Sequence, residues 1–329
     1  MLGHVTGDPA VIFEAERRRL FGLAYRLLGS AADAEDILQD AFLRWSAADR
    51  AAIAEPGAWL TTIVTNLCLT FLTSARQRRE RYVGPWLPEP VLTGASDGPL
   101  GPLETAEQRE SVSMALLMLC ERLTAPERAV LILHEAFGYR YQEIGQIVGK
   151  SEAACRQLRR RAAERLGPPG DPPAAILAAG PGTPRADQPA DQARWRRLTA
   201  QFFAAAAAGD IAGLEEVLAD DVVHWGDGGG KVAAALRPVY GRAKVARLFS
   251  ALGSRLPEDA DISLTEVNAS PSLLIWSGDT LLAAVVPQVG AAGITAVYVI
   301  TNPDKLAFTA RQAAGLPRVA DPAELAPGR

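Results

Sequence analysis

The sequence predicts a multidomain chain: two all-α helical domains, the second with a helix-turn-helix, followed by an α+β domain. Two Pro/Gly-rich stretches, at about residues 83–102 and 167–190, interrupt the pattern and divide the chain. Up to the second stretch, apolar residues recur at helical three- and four-residue spacing. Beyond about residue 218, short β-branched or apolar runs bounded by Gly, Pro, Asn or Asp take over. Proline fixes φ and removes a donor, and glycine makes order entropically costly, so neither stretch is expected to be regular structure. The expected segments are 1–82, a linker at 83–102, 103–167, a second linker at 168–190, and 191–329. A length of 329 residues fits two or three domains at roughly 100–200 residues each. No internal repeat is visible.

In the first segment, Leu20, Leu23 and Leu27 form one apolar stripe. Ser30 followed by Asp33 opens a second helix in the manner of a capping box. Ala34, Ile37, Leu38, Ala41, Phe42 and Trp45 share one face of it, opposite Asp33, Asp36, Gln39, Asp40 and Arg44. Pro56-Gly57 is expected to end an element. The next helix should turn Leu60, Ile63, Val64, Leu67 and Phe71 inward and finish at Arg76-Gln77-Arg78-Arg79-Glu80-Arg81.

In the second helical segment, Thr124 with Glu127 caps a helix through Phe137. A short helix at 141–147 follows, then Gly149, Ser151 as the next N-cap, and a last helix to about Leu166. Ile144, Ile147, Val148, Cys155 and Leu158 can close a small core around this helix-turn-helix. The third segment starts helical, from 191 to about 218. Strands are expected at 221–225, 262–267, 273–277, 281–286 and 294–301, as a curved sheet wrapped on helices.

Composition limits the function. Net charge is only −4, which argues against a chain that simply coats nucleic acid, but local charge decides what a surface binds. Cys68, Cys120 and Cys155 form no CxxC and read as buried small hydrophobes in a reducing cytoplasm. The N-terminal residues carry His4, Asp8, Glu14 and Glu16 without a long apolar core, unlike a signal peptide. No uninterrupted apolar run approaches the roughly 18 residues of a membrane span. His4, His134 and His224 make no metal-ligand spacing with the cysteines, so neither a metal nor a cofactor is expected.

The helix-turn-helix carries the strongest chemical signal. Its second helix presents Glu152, Arg156, Gln157, Arg159, Arg160 and Arg161 after Ser151. Arg can pair bidentately with guanine, Gln with adenine, and Glu can accept from cytosine, while the helix N-terminus and further arginines hold phosphates. Taken alone, the basic run at 76–81 reads equally well as a solvated helix end or as a DNA contact, and its position after an amphipathic helix on the same chain as a helix-turn-helix favours the DNA reading. Two DNA-binding units joined by a Pro/Gly linker suit two sites separated by a spacer.

These motifs together resemble the extracytoplasmic-function (ECF) sigma factors of bacterial RNA polymerase. Ala34-Glu35-Asp36-Ile37-Leu38-Gln39-Asp40-Ala41-Phe42-Leu43-Arg44-Trp45 resembles sigma region 2. This implies docking of Asp36, Gln39, Asp40 and Arg44 on the β′ clamp of core polymerase. Trp59-Leu60-Thr61-Thr62-Ile63-Val64-Thr65-Asn66 is similar to the part that opens the −10 element, which assigns Asn66, Arg76, Arg78 and Arg79 to −10 DNA. The segment from Tyr141-Gln142-Glu143-Ile144-Gly145 to Arg161-Ala162 resembles region 4. That implies −35 recognition through Ser151, Glu152, Arg156, Gln157 and Arg160, with the β flap as the polymerase partner.

Three further strings are similar to the SigJ-like ECF group: Trp86-Leu87-Pro88-Glu89-Pro90, Asp227-Gly228-Gly229-Gly230-Lys231 and Asn302-Pro303-Asp304-Lys305-Leu306. That group carries a C-terminal SnoaL-like (NTF2-like), cone-shaped α+β domain that modulates the factor in place of a separate anti-sigma protein. Physically, the first string is a stiff extended segment that loses little entropy on capture, and three glycines let backbone approach closely. The glycine loop is expected to pack near the linker or region 2 and fix the angle between the sigma domains. As a bare pattern it is an ordinary Gly-rich turn, and Asn302-Pro303 could equally open a simple turn.

Two other classes are weighed. Catalysis in the third domain would use Asp220, Asp221, His224 and Asp227, but a lone His beside Trp225 reads better as structural, so no enzyme is expected. A pocket for a small effector could be lined by Trp195, Phe202, Phe203, Trp225 and Trp276, residues that also serve as plain core. The alternative to a sigma factor is a one-component helix-turn-helix transcription regulator with a small-molecule-binding NTF2-like domain. Such a regulator has no need of the 36–45 helix or the 59–66 segment.

Overall fold

The structure, a computed structural model, describes residues 8–93, 98–100, 108–109, 111–166, 189–257 and 259–319, and the side chains of 76–80 and 189–192 lie outside the description. The 168–190 linker therefore falls almost wholly outside the described residues. So does His4.

The chain forms two compact units that do not follow chain order. One comprises Met1–Glu80 with Ala95–Thr183, the other Arg81–Gly94 with Pro184–Arg329. The short segment between the helical regions thus belongs to the C-terminal unit.

The first unit is all helix: α1 (Pro9–Leu28), α2 (Ala31–Ala47), α3 (Pro56–Glu80), α4 (Met114–Cys120), α5 (Ala125–Glu135), α6 (Tyr141–Val148) and α7 (Glu152–Leu166). Asp8 and Ser30 cap α1 and α2, the latter accepting from Asp33 N at 3.1 Å. Leu20, Leu23 and Leu27 of α1 and Ile37, Leu38 and Trp45 of α2 are all buried where the two helices pack. Pro56 does not end an element but starts α3, because its missing N–H costs nothing in a first turn. The inward face of α3 is also rotated from the expected one. Leu60, Thr61, Val64, Thr65, Cys68, Leu72 and Ala75 are buried, while Ile63, Leu67 and Phe71 are only half-buried. Thr61 Oγ1 is satisfied in this position, donating to Gly57 O at 2.7 Å, whereas the buried Thr65 hydroxyl has no hydrogen-bond partner among the described residues. The stretch Pro56–Ala75 is long and apolar enough to cross a membrane by composition alone, yet in this unit it is a core helix packed on α1, α2, α5 and α6.

Arginines tie this unit together. Arg26, buried, donates from Nε to Ser111 Oγ at 2.7 Å. Burial pulls its pKa down to about 10. Arg19 donates to Gly57 O and to Thr61 Oγ1 at 3.1 and 2.9 Å, and to Tyr139 Oη at 3.3 Å. The three cysteines are free and buried, and burial pushes their thiols above the usual range.

The second unit is α+β. Two helices, α8 (Pro189–Ala207) and α9 (Ile211–Val217), replace the single one expected, because Gly209 takes a left-handed φ of 67° and Asp210 caps the next helix. They precede β1 (Leu218–Asp227), β2 (Val239–Tyr240), α10 (Arg242–Gly253), β3 (Ala260–Val267), β4 (Ser270–Ser277), β5 (Thr280–Gly290), β6 (Gly293–Ile300) and α11 (Pro303–Gln312). The helix α10 has no counterpart in the sequence reading. The sheet order is β2-β1-β6-β5-β4-β3, antiparallel except that β1 and β6 run parallel. Phe202, Phe203, Val245 and Phe249 of α8 and α10 pack with Leu273, Ile275 and Val285 to form the core on one face of the sheet.

Candidate functional site

The candidate residues fall on the second helix, on the helix-turn-helix with the end of α3, and in the C-terminal unit. On α2, Asp36, Gln39, Asp40 and Arg44 are all exposed, at the spacing that puts them on one face. Among the described residues none of the four is held in an ion pair. Leu43 stands among them, 60% exposed. A large apolar side chain set among free charges is the composition of a docking face. In the sequence reading Leu43 stands only within the region 2 string, on neither the apolar nor the polar face named there.

On the helix-turn-helix, Gly149 closes α6 in the left-handed region at φ 65°, and Ser151 Oγ accepts from Ala154 N at 3.2 Å to start α7. Gly145 is required at the turn, since a Cβ there would lie 2.5 Å from Lys150 O. Ser151, Glu152, Arg156, Gln157 and Arg160 are all exposed. Glu152 pairs with Arg156 at 2.5 Å and Arg160 with Glu164 at 2.8 Å, each one turn apart. Arg159 is different: it is bound to Glu135 of α5 at 2.7 Å, so it fastens α7 to its own domain.

Asn66 is exposed on α3, and its amide donates to Ile147 O of α6 at 3.3 Å. The residue assigned to −10 DNA thus touches the backbone of the helix-turn-helix. Arg76, Arg78 and Arg79 continue α3, but their side chains lie outside the described residues.

The third site lies in the C-terminal unit and joins all three strings of the SigJ-like pattern. Because β1 and β6 run parallel, their ends coincide: Asp227 is in register with Ile300. This brings the glycine loop after β1 beside Asn302-Pro303. Asn302 is not a simple turn residue: it caps α11, with Pro303 in the first turn and Asp304 N donating to Asn302 Oδ1 at 3.2 Å.

The 86–93 stretch forms no helix or named strand and is, as expected of its prolines, an extended segment, bonded at almost every step. Asp227 Oδ2 accepts from Leu87 N at 2.9 Å and from Lys305 Nζ at 2.7 Å, and its Oδ1 from Tyr82 Oη at 2.6 Å and Gly229 N at 3.1 Å. Lys305 Nζ also donates to Leu87 O and lies 4.1 Å from the Trp86 ring centroid. Farther along, Thr309 Oγ1 donates to Pro90 O, Val91 and Asn268 exchange two hydrogen bonds, and Leu92 N donates to Gln312 Oε1 at 3.1 Å. Thr93 bonds Glu266 through both its N–H and its hydroxyl. Leu87, Pro88, Glu89 and Pro90 are buried. The buried Asp227–Lys305 pair is satisfied on both sides, which is the condition under which such a pair is tolerated. Burial, and then the bond to Asp227, raise the Tyr82 phenol well above its usual range.

The glycines fit this arrangement closely. A Cβ on Gly229, at φ 60°, would lie 2.3 Å from Asn302 Nδ2 and 2.9 Å from Tyr82 Oη; one on Gly230 would lie 3.1 Å from Val83. Gly228 is as tight, with Val232 O at 2.1 Å from its would-be Cβ. Lys231 pairs with Asp304 at 2.6 Å in the open, a bond of small worth. Leu306 is buried. Tyr82, Asn268, Thr309 and Gln312 were missed by the sequence reading. Only Asn268 left a signal: an Asn between two strand runs, seen here at φ 51° in a tight hairpin.

The acid–base set weighed from sequence does not assemble. Asp220 is exposed and paired with Arg242 at 3.0 Å, Asp221 is exposed, and Asp227 is committed to Leu87 and Lys305. His224 is buried edge-on to Phe249, and burial pushes its pKa down to about 4.

Sigma-70 region 2 matches residues 12–79 and sigma-70 region 4 matches residues 113–166. The chain is 40% identical to the ECF RNA polymerase sigma factor SigJ of Mycobacterium tuberculosis over 245 residues, covering 74% of this chain and 72% of that one. It is 28% identical to the probable ECF RNA polymerase sigma factor SigI of the same organism, covering 91% of this chain and 95% of that one. The crystal structure of the Mycobacterium tuberculosis extracytoplasmic function sigma factor SigJ superposes with a TM-score of 0.69 at 33% identity, covering 91% of this chain and 98% of that one. Two sigma regions followed by an α+β sheet domain define the class, and the chain belongs to the ECF RNA polymerase sigma factors. The match over region 2 removes the ground for a one-component regulator, which has no use for it.

Proposed function

We propose that the protein acts in the cytoplasm, docks on the β′ clamp of core RNA polymerase through the α2 face around Leu43, and reads −35 DNA with α7 while region 4 engages the β flap. In this reading Arg156 and Gln157 address base edges and Arg160 a phosphate, whereas Arg159 only positions α7. Asn66 serves the −10 element once it parts from Ile147. The C-terminal unit performs no reaction. It modulates initiation by holding the segment between the two sigma regions. The observation that carries this is the capture of residues 86–93 by Asp227 and Lys305: whatever length of chain is held there is unavailable to span promoter elements.

Promoter-directed transcription with core polymerase and the full chain tests it. The wild type is expected to initiate at its promoter. Arg156→Ala should lose about 1–3 kcal/mol at −35 elements selectively if it reads a base. Asp227→Asn should change output while binding to core is unaltered. Equal output from Asp227→Asn and wild type would overturn the modulatory role, and failure of the wild type on every promoter offered would overturn the sigma assignment to polymerase and DNA.

A further inference from the structure

The C-terminal unit contains a cavity of about 420 Å³ between the sheet and α8 and α10. That lies in the range of small-molecule sites. Its depth is formed by Phe203, Phe249, Ile275 and Ala283. Of the five aromatic residues considered from sequence, only Phe203 lines it; the others fill core or pack elsewhere, and α10, unseen in the sequence, supplies Phe249. Among the lining residues Arg255 is the one ionisable group, and it is exposed. At the mouth, Val232 and Leu252 are 44% and 40% exposed, an apolar lip facing water.

The same wall belongs to the linker-holding loops. Val232, Thr301 and Pro303 line the cavity. Val232 N donates to Gly228 O, while Thr301 N and Asn302 N both donate to Asp227 O, at 2.8 and 3.0 Å. Pro303 opens α11, which carries Lys305, Thr309 and Gln312 to the linker. A molecule seated against Pro303 and Val232 therefore presses on the two chain ends that position Asp227 and Lys305.

We propose that this cavity binds a neutral, predominantly apolar small molecule, and that its occupancy strengthens the hold of Asp227 and Lys305 on residues 87–93. The chemistry follows from the wall: an apolar lining rewards removal of apolar surface from water, and a buried charge would find no partner there. The coupling follows from linkage: a ligand that contacts α11 only when its first turn is seated favours that state, and the seated state favours the ligand. The inference deepens the modulatory reading above and rests on it.

The test uses the full chain and N-phenylnaphthylamine, a neutral fluorophore that brightens in apolar sites. Saturable binding is expected, with slowed amide exchange at 203–207 and 281–285 marking the site. Exchange at Leu87, Val91 and Thr93 should slow at least about threefold, consistent with stabilisation by a ligand that binds one state only. Ala283→Phe and Ala206→Met, each checked for an unchanged fold by thermal melting, should reduce probe affinity at least about tenfold. Protection at other segments, or undiminished binding in the filled variant that keeps its fold, overturns the site. Binding that leaves residues 87–93 unchanged overturns the coupling. If Asp227→Asn transcribes like wild type while the probe still binds in the cavity, the modulatory reading fails and the site stands.

Discussion

At the scale of single residues, burial decides what each ionisable group can do. Asp227 carries four donors and no freedom, so it serves as an anchor. His224 occupies the same strand but sits among Phe249 and apolar neighbours, and stays neutral because burial holds its pKa at about 4. This has a pH consequence. The unfolded chain takes up the proton below its ordinary value near 6.5, whereas the folded chain does not until about 4. Stability from this residue is therefore full above about pH 6.5 and falls as the pH drops toward 4, by up to about 3 kcal/mol. Denaturation of the full chain across that interval should show the loss, and His224→Leu should flatten it. A slope identical in both proteins would mean that other groups govern the acid limb. Arg156 and Arg159 show the same lesson on the helix-turn-helix: three residues apart, Arg156 is exposed and paired within its own helix to Glu152, whereas Arg159 is committed to Glu135 of α5.

At the scale of elements, the triple-glycine loop matters through the space it leaves. Gly229 combines a left-handed φ with a Cβ position occupied by Asn302 and Tyr82. Gly229→Ala should thus loosen the capture of the linker, both by backbone strain and by displacing the Asn302 amide. Amide exchange at Leu87 and Val91 should quicken in this variant while α2 and α7 remain as protected as before. Unchanged exchange at those two amides would show that the loop merely turns the chain. In contrast, Gly149 lies in open space and is needed only for its backbone conformation, so an Asn there should be tolerated.

At the scale of the whole molecule, the two compact units have separate cores, which predicts more than one unfolding transition. Calorimetry of the full chain should resolve two. Asp227→Asn strips a charge from the buried pair with Lys305, a change of the kind that costs about 3–5 kcal/mol. It should lower the transition of the C-terminal unit and leave that of the helical unit in place. Parallel loss of both transitions would mean that the units unfold as one. The distribution of chain between the units bears on the proposed modulation: residues 81–94 lie between the sigma regions in sequence but belong to the C-terminal unit in space. In the proposed reading, this is how a domain at one end of the chain acts on the connection in its middle.

The sequence by itself determined the sigma regions, because helical periodicity, the caps at Ser30, Thr124 and Ser151, and the glycine turn at Gly149 are all local, and each local signal agrees with the final packing. It also named the three strings of the linker site, through resemblance rather than through their chemistry. What they do together was decided only by tertiary structure. The parallel pairing of the first and last strands of the sheet brings Asp227 to Asn302 across 75 residues, and the rotation of α3 puts threonines inside. Neither follows from local spacing. Strand partnership and the satisfaction of buried polar groups depend on residues distant in the chain, and a cavity such as that behind Pro303 exists only between elements already packed.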